Sequence, residues 1–167
     1  MATITLKGNK INTSGDLPAV GSQAPEFELT NADLQDVGLK DFSGRKKLLN
    51  IFPSLDTPTC ATSTRKFNQN AAQLQNVALL MISADLPFAM ARFCAAEGIE
   101  QVTTLSMMRN RNFAKDYGVL INDGPLTGIT ARAVVVLDEN NKVLYTELVP
   151  EIADEPNYDA AMKALKS

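Results

Sequence analysis

Histidine is absent from all 167 residues. Its absence removes Ser-His-Asp and Cys-His catalytic pairs and any imidazole metal ligand. Cysteine occurs only twice, at Cys60 and Cys94, at a separation that fits neither a zinc ribbon nor the Cys-x-x-Cys of a dithiol oxidoreductase. No metal site and no cofactor are therefore expected. A stable structural disulfide is disfavoured in a reducing compartment, which leaves two inert core thiols or a pair that cycles. There is no dense Lys/Arg block and the net charge is −3, so neither nucleic acid nor an anionic membrane surface is expected as the main partner. The apolar run Val77–Ile82 is far too short to span a bilayer. The first residues, Met-Ala-Thr-Ile-Thr-Leu-Lys-Gly, lack the basic start and apolar stretch of a signal peptide, so a soluble cytoplasmic protein is expected.

Repeats, low-complexity segments and linkers are also missing, so residues 1–167 read as one domain. With 45% hydrophobic and 21% charged residues, such a domain can build a core without disulfide staples. Alternation around Gly8-Asn9 predicts an N-terminal hairpin over residues 3–14, and Phe27–Thr30 reads as a further strand. A turn-rich connection follows around Asp41–Gly44. Lys47–Phe52 and Val77–Ser83 are short apolar runs suited to strands buried on both faces. Between them Cys60, Phe67, Ala71 and Leu74 repeat as one helical stripe, which would turn Cys60 toward the core at the protein's edge.

A strand, a helix and a strand in that order form a βαβ unit with a parallel sheet. A second helix is predicted from about Pro87 to Glu97, stopped by Gly98; its composition is so apolar that it is either buried or covers a partner surface. Val102–Leu105 gives another strand and Arg109–Tyr117 a short helix ended by Gly118. Ala133–Leu137 and Val143–Leu148 flank Asp-Glu-Asn-Asn as an antiparallel hairpin, and Tyr158–Leu165 closes as a helix. A βαβ unit followed by a ββα unit is the thioredoxin-like arrangement: an α/β fold with a central mixed sheet, flanking helices and, here, an N-terminal β-hairpin extension.

The segment Pro53-Ser54-Leu55-Asp56-Thr57-Pro58-Thr59-Cys60 places a thiol just past a strand and just inside a helix. Thr57 suits the N-cap and Pro58 the first helical position, so Cys60 falls in the first turn. Unpaired N–H groups and the positive end of the helix dipole favour the anionic form of a thiol so placed. By itself a cysteine is as well explained as a small buried hydrophobe.

Pro53-x-x-x-Thr57-x-x-Cys60 resembles the peroxidatic-cysteine signature of the peroxiredoxins. The run Asn50 to Asn68, the segment Phe93-Cys94-Ala95-Ala96-Glu97-Gly98, Asp-Gly-Pro-Leu at 123–126 and Ala-Arg-Ala-Val-Val-Val-Leu-Asp-Glu-Asn at 131–140 resemble the bacterial thiol peroxidases, the atypical two-cysteine peroxiredoxins. The likeness extends over essentially the whole chain. It implies a peroxidase that reduces hydrogen peroxide and organic hydroperoxides, with an intramolecular disulfide reduced by thioredoxin, in a homodimer. It also implies residue roles: Cys60 as peroxidatic nucleophile, Cys94 as resolving thiol, Pro53 and Thr57 as pocket partners, and Arg132 as the nearby cation.

Each implied role has a physical argument beside it. Pro53 lacks an N–H and shields the loop from water, though a proline also simply ends a strand. Thr57 can donate to sulfur or peroxide, or cap the helix. Arg132 starts an apolar strand, where its guanidinium must find an anion or water, and a structural ion pair with an acidic residue is the plain alternative to a role at the site. Arg65, one turn past Cys60, is a lesser candidate for orienting the loop through a carboxylate. Phe88, Met90 and Phe93 are candidates either for core packing or for lining an alkyl hydroperoxide pocket. A redox-sensing binding module of the same fold, oxidised once without turnover, is the competing reading.

Overall fold

The computed structural model describes residues 1–71 and 73–167; the side chain of Ala71, and with it that position of the predicted stripe, lies outside what is described. Strands β1 (Thr3–Leu6) and β2 (Asn9–Asn12) form the expected hairpin. Its turn is Lys7-Gly8, both with positive φ (51° and 81°), so Asn9 already belongs to β2. Two consecutive left-handed residues match the right-handed twist of paired strands.

The main sheet contains β3 (Leu29–Thr30), β4 (Asp36–Val37), β5 (Lys46–Ile51), β6 (Val77–Ser83), β7 (Thr103–Ser106), β8 (Ala133–Leu137) and β9 (Val143–Leu148), in the order β4-β3-β7-β6-β5-β8-β9. β5, β6 and β7 are parallel, whereas β8 runs antiparallel to β5. The sheet is therefore mixed, and its centre is the run of strands that read as continuously apolar. Helices α1 (Pro58–Ala71) and α2 (Pro87–Glu97) make the two parallel crossovers. Short α3 (Asn112–Asp116) follows β7, and α4 (Tyr158–Lys166) closes the chain.

Alternation along the strands divides the core into two layers. Leu49, Ile51, Leu80, Ile82, Val135 and Leu137 face one side, with Phe113, Tyr117 and the hairpin residues Ile4 and Ile11. Leu48, Leu79, Met81, Val134 and Val136 face the other, with Cys60, Phe67, Met90 and Leu165 from α1, α2 and α4. Lys47 is also fully buried in β5, its Nζ facing the Asp138 and Glu139 carbonyls at 3.5 and 3.4 Å. Burial pushes its ammonium pKa down.

Several predicted elements are trimmed. The strand expected at Phe27–Thr30 shortens to β3, because its ladder to β7 consists of the single pair Thr30–Ser106. The Asp41–Gly44 turn is preceded by a 3-10 turn over Leu39–Phe42 that buries Leu39 and Phe42. α3 begins later than Arg109 because Asn110 Oδ1 accepts the Asn112 N–H, a local turn that competes with helix. The second helix is not buried by its own chain: Leu86 before it is 52% exposed and Phe88 63%, while only Pro87 and Met90 within it are buried.

Gly118, the predicted helix stop, has φ +69°, and a Cβ there would strike the Asp16 carbonyl. Gly44 has φ +77° with open space around it. Gly44→Ala is expected to cost about 1 kcal/mol of strain, and Gly118→Ala about 3 kcal/mol because a backbone clash adds to the strain. Urea denaturation midpoints of the two variants check the difference.

Candidate active site

Four lengths of chain converge at the carboxyl end of β5. The register pairs Ile51 with Ala133, which sets Arg132, just before β8, beside the residues that leave β5. Thr130 Oγ1 donates to the Phe52 carbonyl at 2.9 Å and fixes the exit of that strand. Pro53 is buried next to it. The chain then turns through Ser54–Thr57: Thr57 N–H and Oγ1 both donate to the Ser54 carbonyl, at 3.1 and 2.8 Å.

Thr57 stands directly before α1, as predicted, and its carbonyl accepts the Ala61 N–H at 3.1 Å. Its hydroxyl corrects the expectation, for it bonds backward to Ser54 and makes no cap bond to a helical N–H among the described residues. The hydroxyl proton is thus committed, and what Thr57 offers beyond the turn is an acceptor lone pair.

Cys60 lies in the first turn of α1 and is fully buried among Phe52, Leu55, Phe67 and Met90. Its carbonyl accepts the Ser63 and Thr64 hydroxyls at 3.1 and 2.9 Å. Pro53, Thr57 and Arg132 together line a cavity of about 370 Å³ at this helix start, whose apolar wall is Leu6, Leu126, Ile129 and Ile152. None of Phe88, Met90 and Phe93 lines it. Met90 packs in the core beneath α2, Phe88 points to solvent, and Phe93 lies under the Arg65 guanidinium, 5.9 Å from its ring centre.

Arg132 is 2% exposed. Its Nε donates to the Ile152 carbonyl at 2.9 Å, Nη1 has no partner, and it makes no ion pair among the described residues. The structural-carboxylate alternative is thereby removed. Arg132 contributes to the lowered pKa of Glu155, but the hydrogen bonds that mainly lower it come from Lys66 and Tyr158.

Cys60 is not itself among the residues that line this cavity, and neither is Cys94. Cys94 is half-buried on α2, in a separate groove of about 250 Å³ with Asn31, Ala91 and Thr103, and burial pushes its thiol pKa up. Both cysteines are reduced. Arg65 does not reach the loop. It grips Glu97 of α2 through Nε and Nη2, at 2.9 and 2.8 Å, and so joins the two cysteine-bearing helices.

The chain matches the redoxin family over residues 19–162. It is 56% identical over 165 residues to a thiol peroxidase of Corynebacterium glutamicum, with 99% of each chain covered. The chain belongs to the redoxin family, among the thiol peroxidases. The solved peroxiredoxin-like protein of Aquifex aeolicus superposes with a TM-score of 0.93 at 43% identity, covering 99% of this chain and 96% of that one. The thiol peroxidase of Chromobacterium violaceum gives 0.91 at 30% identity, covering 98% and 95%. The thioredoxin-like fold expected from the residues and the peroxidase assignment implied by the resemblance both hold.

A contact that no local pattern announced ties the hairpin of this redoxin to its cavity. Glu151, next to the residue whose carbonyl holds Arg132, accepts Gly8 N–H, Thr5 Oγ1 and Ala153 N–H at 2.9, 3.0 and 3.0 Å. The backbone N–H groups of Ala153 and then Gly8 hold its carboxyl down to about 2, from an ordinary 4.5. Because the folded pKa is the lower one, this contribution to stability is complete above about pH 4.5 and is lost as pH falls toward about 2. The stability gap between the native chain and Glu151→Gln is expected to shrink between pH 6 and pH 3, measured by urea denaturation at each pH.

Proposed function

We propose that this redoxin reduces hydroperoxides through Cys60 and Cys94, on the strength of one observation above the others. The buried Arg132 has an unpartnered Nη1 and lines the cavity where Pro53 and Thr57 also lie. A donor aimed at nothing in the resting protein suits an oxygen that becomes charged during the reaction.

The Cys60 thiolate attacks the outer oxygen of R–O–OH. The O–O bond breaks, a sulfenic acid forms on Cys60, and the departing alkoxide takes up a proton to leave as ROH. Thr57 accepts the peroxide O–H, and Arg132 stabilises charge on the oxygens. Pro53 closes one side against water. Positioning has to supply most of the rate, since a free thiol is already about 3% thiolate at pH 7 and full ionisation gains only about thirtyfold.

Cys94 then attacks the sulfenic sulfur. Its proton and the sulfenic hydroxyl leave as water, and the Cys60–Cys94 disulfide remains. In the resting structure burial favours the neutral thiol of Cys94. The disulfide needs two electrons, which we assign to a thioredoxin dithiol. The apolar wall of the cavity suits organic hydroperoxides as well as hydrogen peroxide. The reading includes one domain over residues 1–167, a homodimer and a cytoplasmic location. No described helix is long and apolar enough to cross a membrane.

Cys60→Ser is expected to abolish peroxide consumption, while Cys94→Ser consumes one equivalent and stops at a sulfenic mass gain of about 16 Da. Turnover by Cys60→Ser would overturn the assignment, and a single oxidation of the native chain without sustained consumption in the presence of thioredoxin would favour the sensor. Arg132→Met is expected to lower kcat/KM for peroxide by about a hundredfold, read in a coupled thioredoxin assay.

A further inference from the structure

Asp85 belongs to none of the motifs that announce the site, yet it lies in the connection that leads into the Cys94 helix and is bonded to the turn that leads into the Cys60 helix. It follows β6 and stands two residues before α2. Its Oδ1 accepts the Ser54 hydroxyl at 2.6 Å, and its Oδ2 accepts the Leu55 N–H at 2.8 Å and the Ser83 hydroxyl at 2.7 Å. Its N–H donates to Ser83 Oγ at 3.1 Å, and its carbonyl accepts the Ser106 hydroxyl at 2.6 Å. It forms no ion pair among the described residues. The carboxylate is thus held entirely by three neutral donors, two from the turn before α1 and one from the end of β6.

Ser54 and Leu55 lie in the turn before Cys60. Ser54 Oγ accepts the Asp56 N–H at 3.1 Å, and the Ser54 carbonyl takes both the N–H and the hydroxyl of Thr57. A chain of bonds therefore runs from Ser106 through Asp85 and Ser54 to Thr57 in the cavity wall. It keeps the Thr57 hydroxyl proton turned back toward Ser54 and its lone pair available for a peroxide O–H.

We infer that Asp85 is a positioning residue, which holds the Ser54–Thr57 turn in its peroxide-receiving form and fastens the start of α2 to that turn. The inference rests on the peroxidatic role proposed for Cys60. It separates two steps of the cycle. Capture of peroxide needs the turn intact, whereas closure of the disulfide needs the cysteine-bearing segments to part from their resting places. Loss of the Asp85 carboxylate slows the first step and leaves the second as fast or faster.

The experiment is rapid-quench intact-mass spectrometry of the reduced full-length chain mixed with hydrogen peroxide, which resolves the sulfenic species from the disulfide. The native chain tests the cycle itself, and the ratio of variant to native rates tests Asp85, so each can fail alone. Asp85→Ala is expected to lower the capture rate constant at least about tenfold, the scale of a small misplacement, with closure not slowed. Asp85→Asn, which keeps an acceptor for Leu55 and Ser83 and can donate to Ser54, is expected to recover most of the loss.

Capture within about twofold of native in Asp85→Ala, or capture and closure slowed in the same ratio, would overturn the inference. Should Asp85→Ala fail to fold by circular dichroism, Ser54→Ala decides. It cuts the same chain one link later, and is expected to lower capture about fivefold without slowing closure. Unchanged capture in that variant would overturn the inference as well.

Discussion

The arrangement depends on keeping the Arg132 guanidinium in the protein interior without a carboxylate to neutralise it. Burying an unpaired charge costs on the order of several kcal/mol, and a chain free to move would carry the group to water or to an anion. Here it can do neither. Ala133 is locked to Ile51 in the sheet, and Val149 N–H donates to the Arg132 carbonyl at 3.0 Å. The Nε is held by Ile152, whose own N–H donates to the Thr5 carbonyl at 2.9 Å. The N-terminal hairpin is therefore part of the support of the site: Thr5 and Gly8 hold Glu151, and the 150–152 segment they hold carries the carbonyl that aims the guanidinium.

That support is long-range, and this explains what the residues disclosed and what they concealed. β6, α2, β8, β9 and the start of α1 could be read in place because continuous apolar runs, a Thr-Pro helix start and a Gly stop are local signals, whereas Leu74, the last residue of the predicted stripe, lies outside the helix. The bonds from Glu151 to Gly8 and from Asp85 to Ser54 join residues far apart in the chain, and no periodicity encodes them. For the same reason the sequence could name Arg132 but could not decide between a carboxylate and an empty cavity. Lys47 was hidden differently, inside a run that was apolar enough to read as a buried strand. Its aliphatic stem is compatible with that environment and only the ammonium must find carbonyls.

The two cysteines occupy environments of different stability, and in the proposed cycle this sets which of them moves. Cys60 is packed within a core layer, on a helix whose buried face includes Phe67, and its own carbonyl is tied by the Ser63 and Thr64 hydroxyls. Cys94 sits on a helix with only Pro87 and Met90 buried, and the pair that joins this helix to α1, Arg65 with Glu97, is solvent-exposed and contributes little. Opening α2 gives up little apolar burial, while opening α1 far enough to expose Cys60 gives up packing around it. On the proposed cycle the larger displacement on disulfide closure therefore falls to Cys94, and α1 needs to release no more than its first turn. The Ser63 and Thr64 hydroxyls mark the boundary of that turn, since both bond the carbonyl of Cys60 itself and stay with the buried remainder of the helix when the residues before it move.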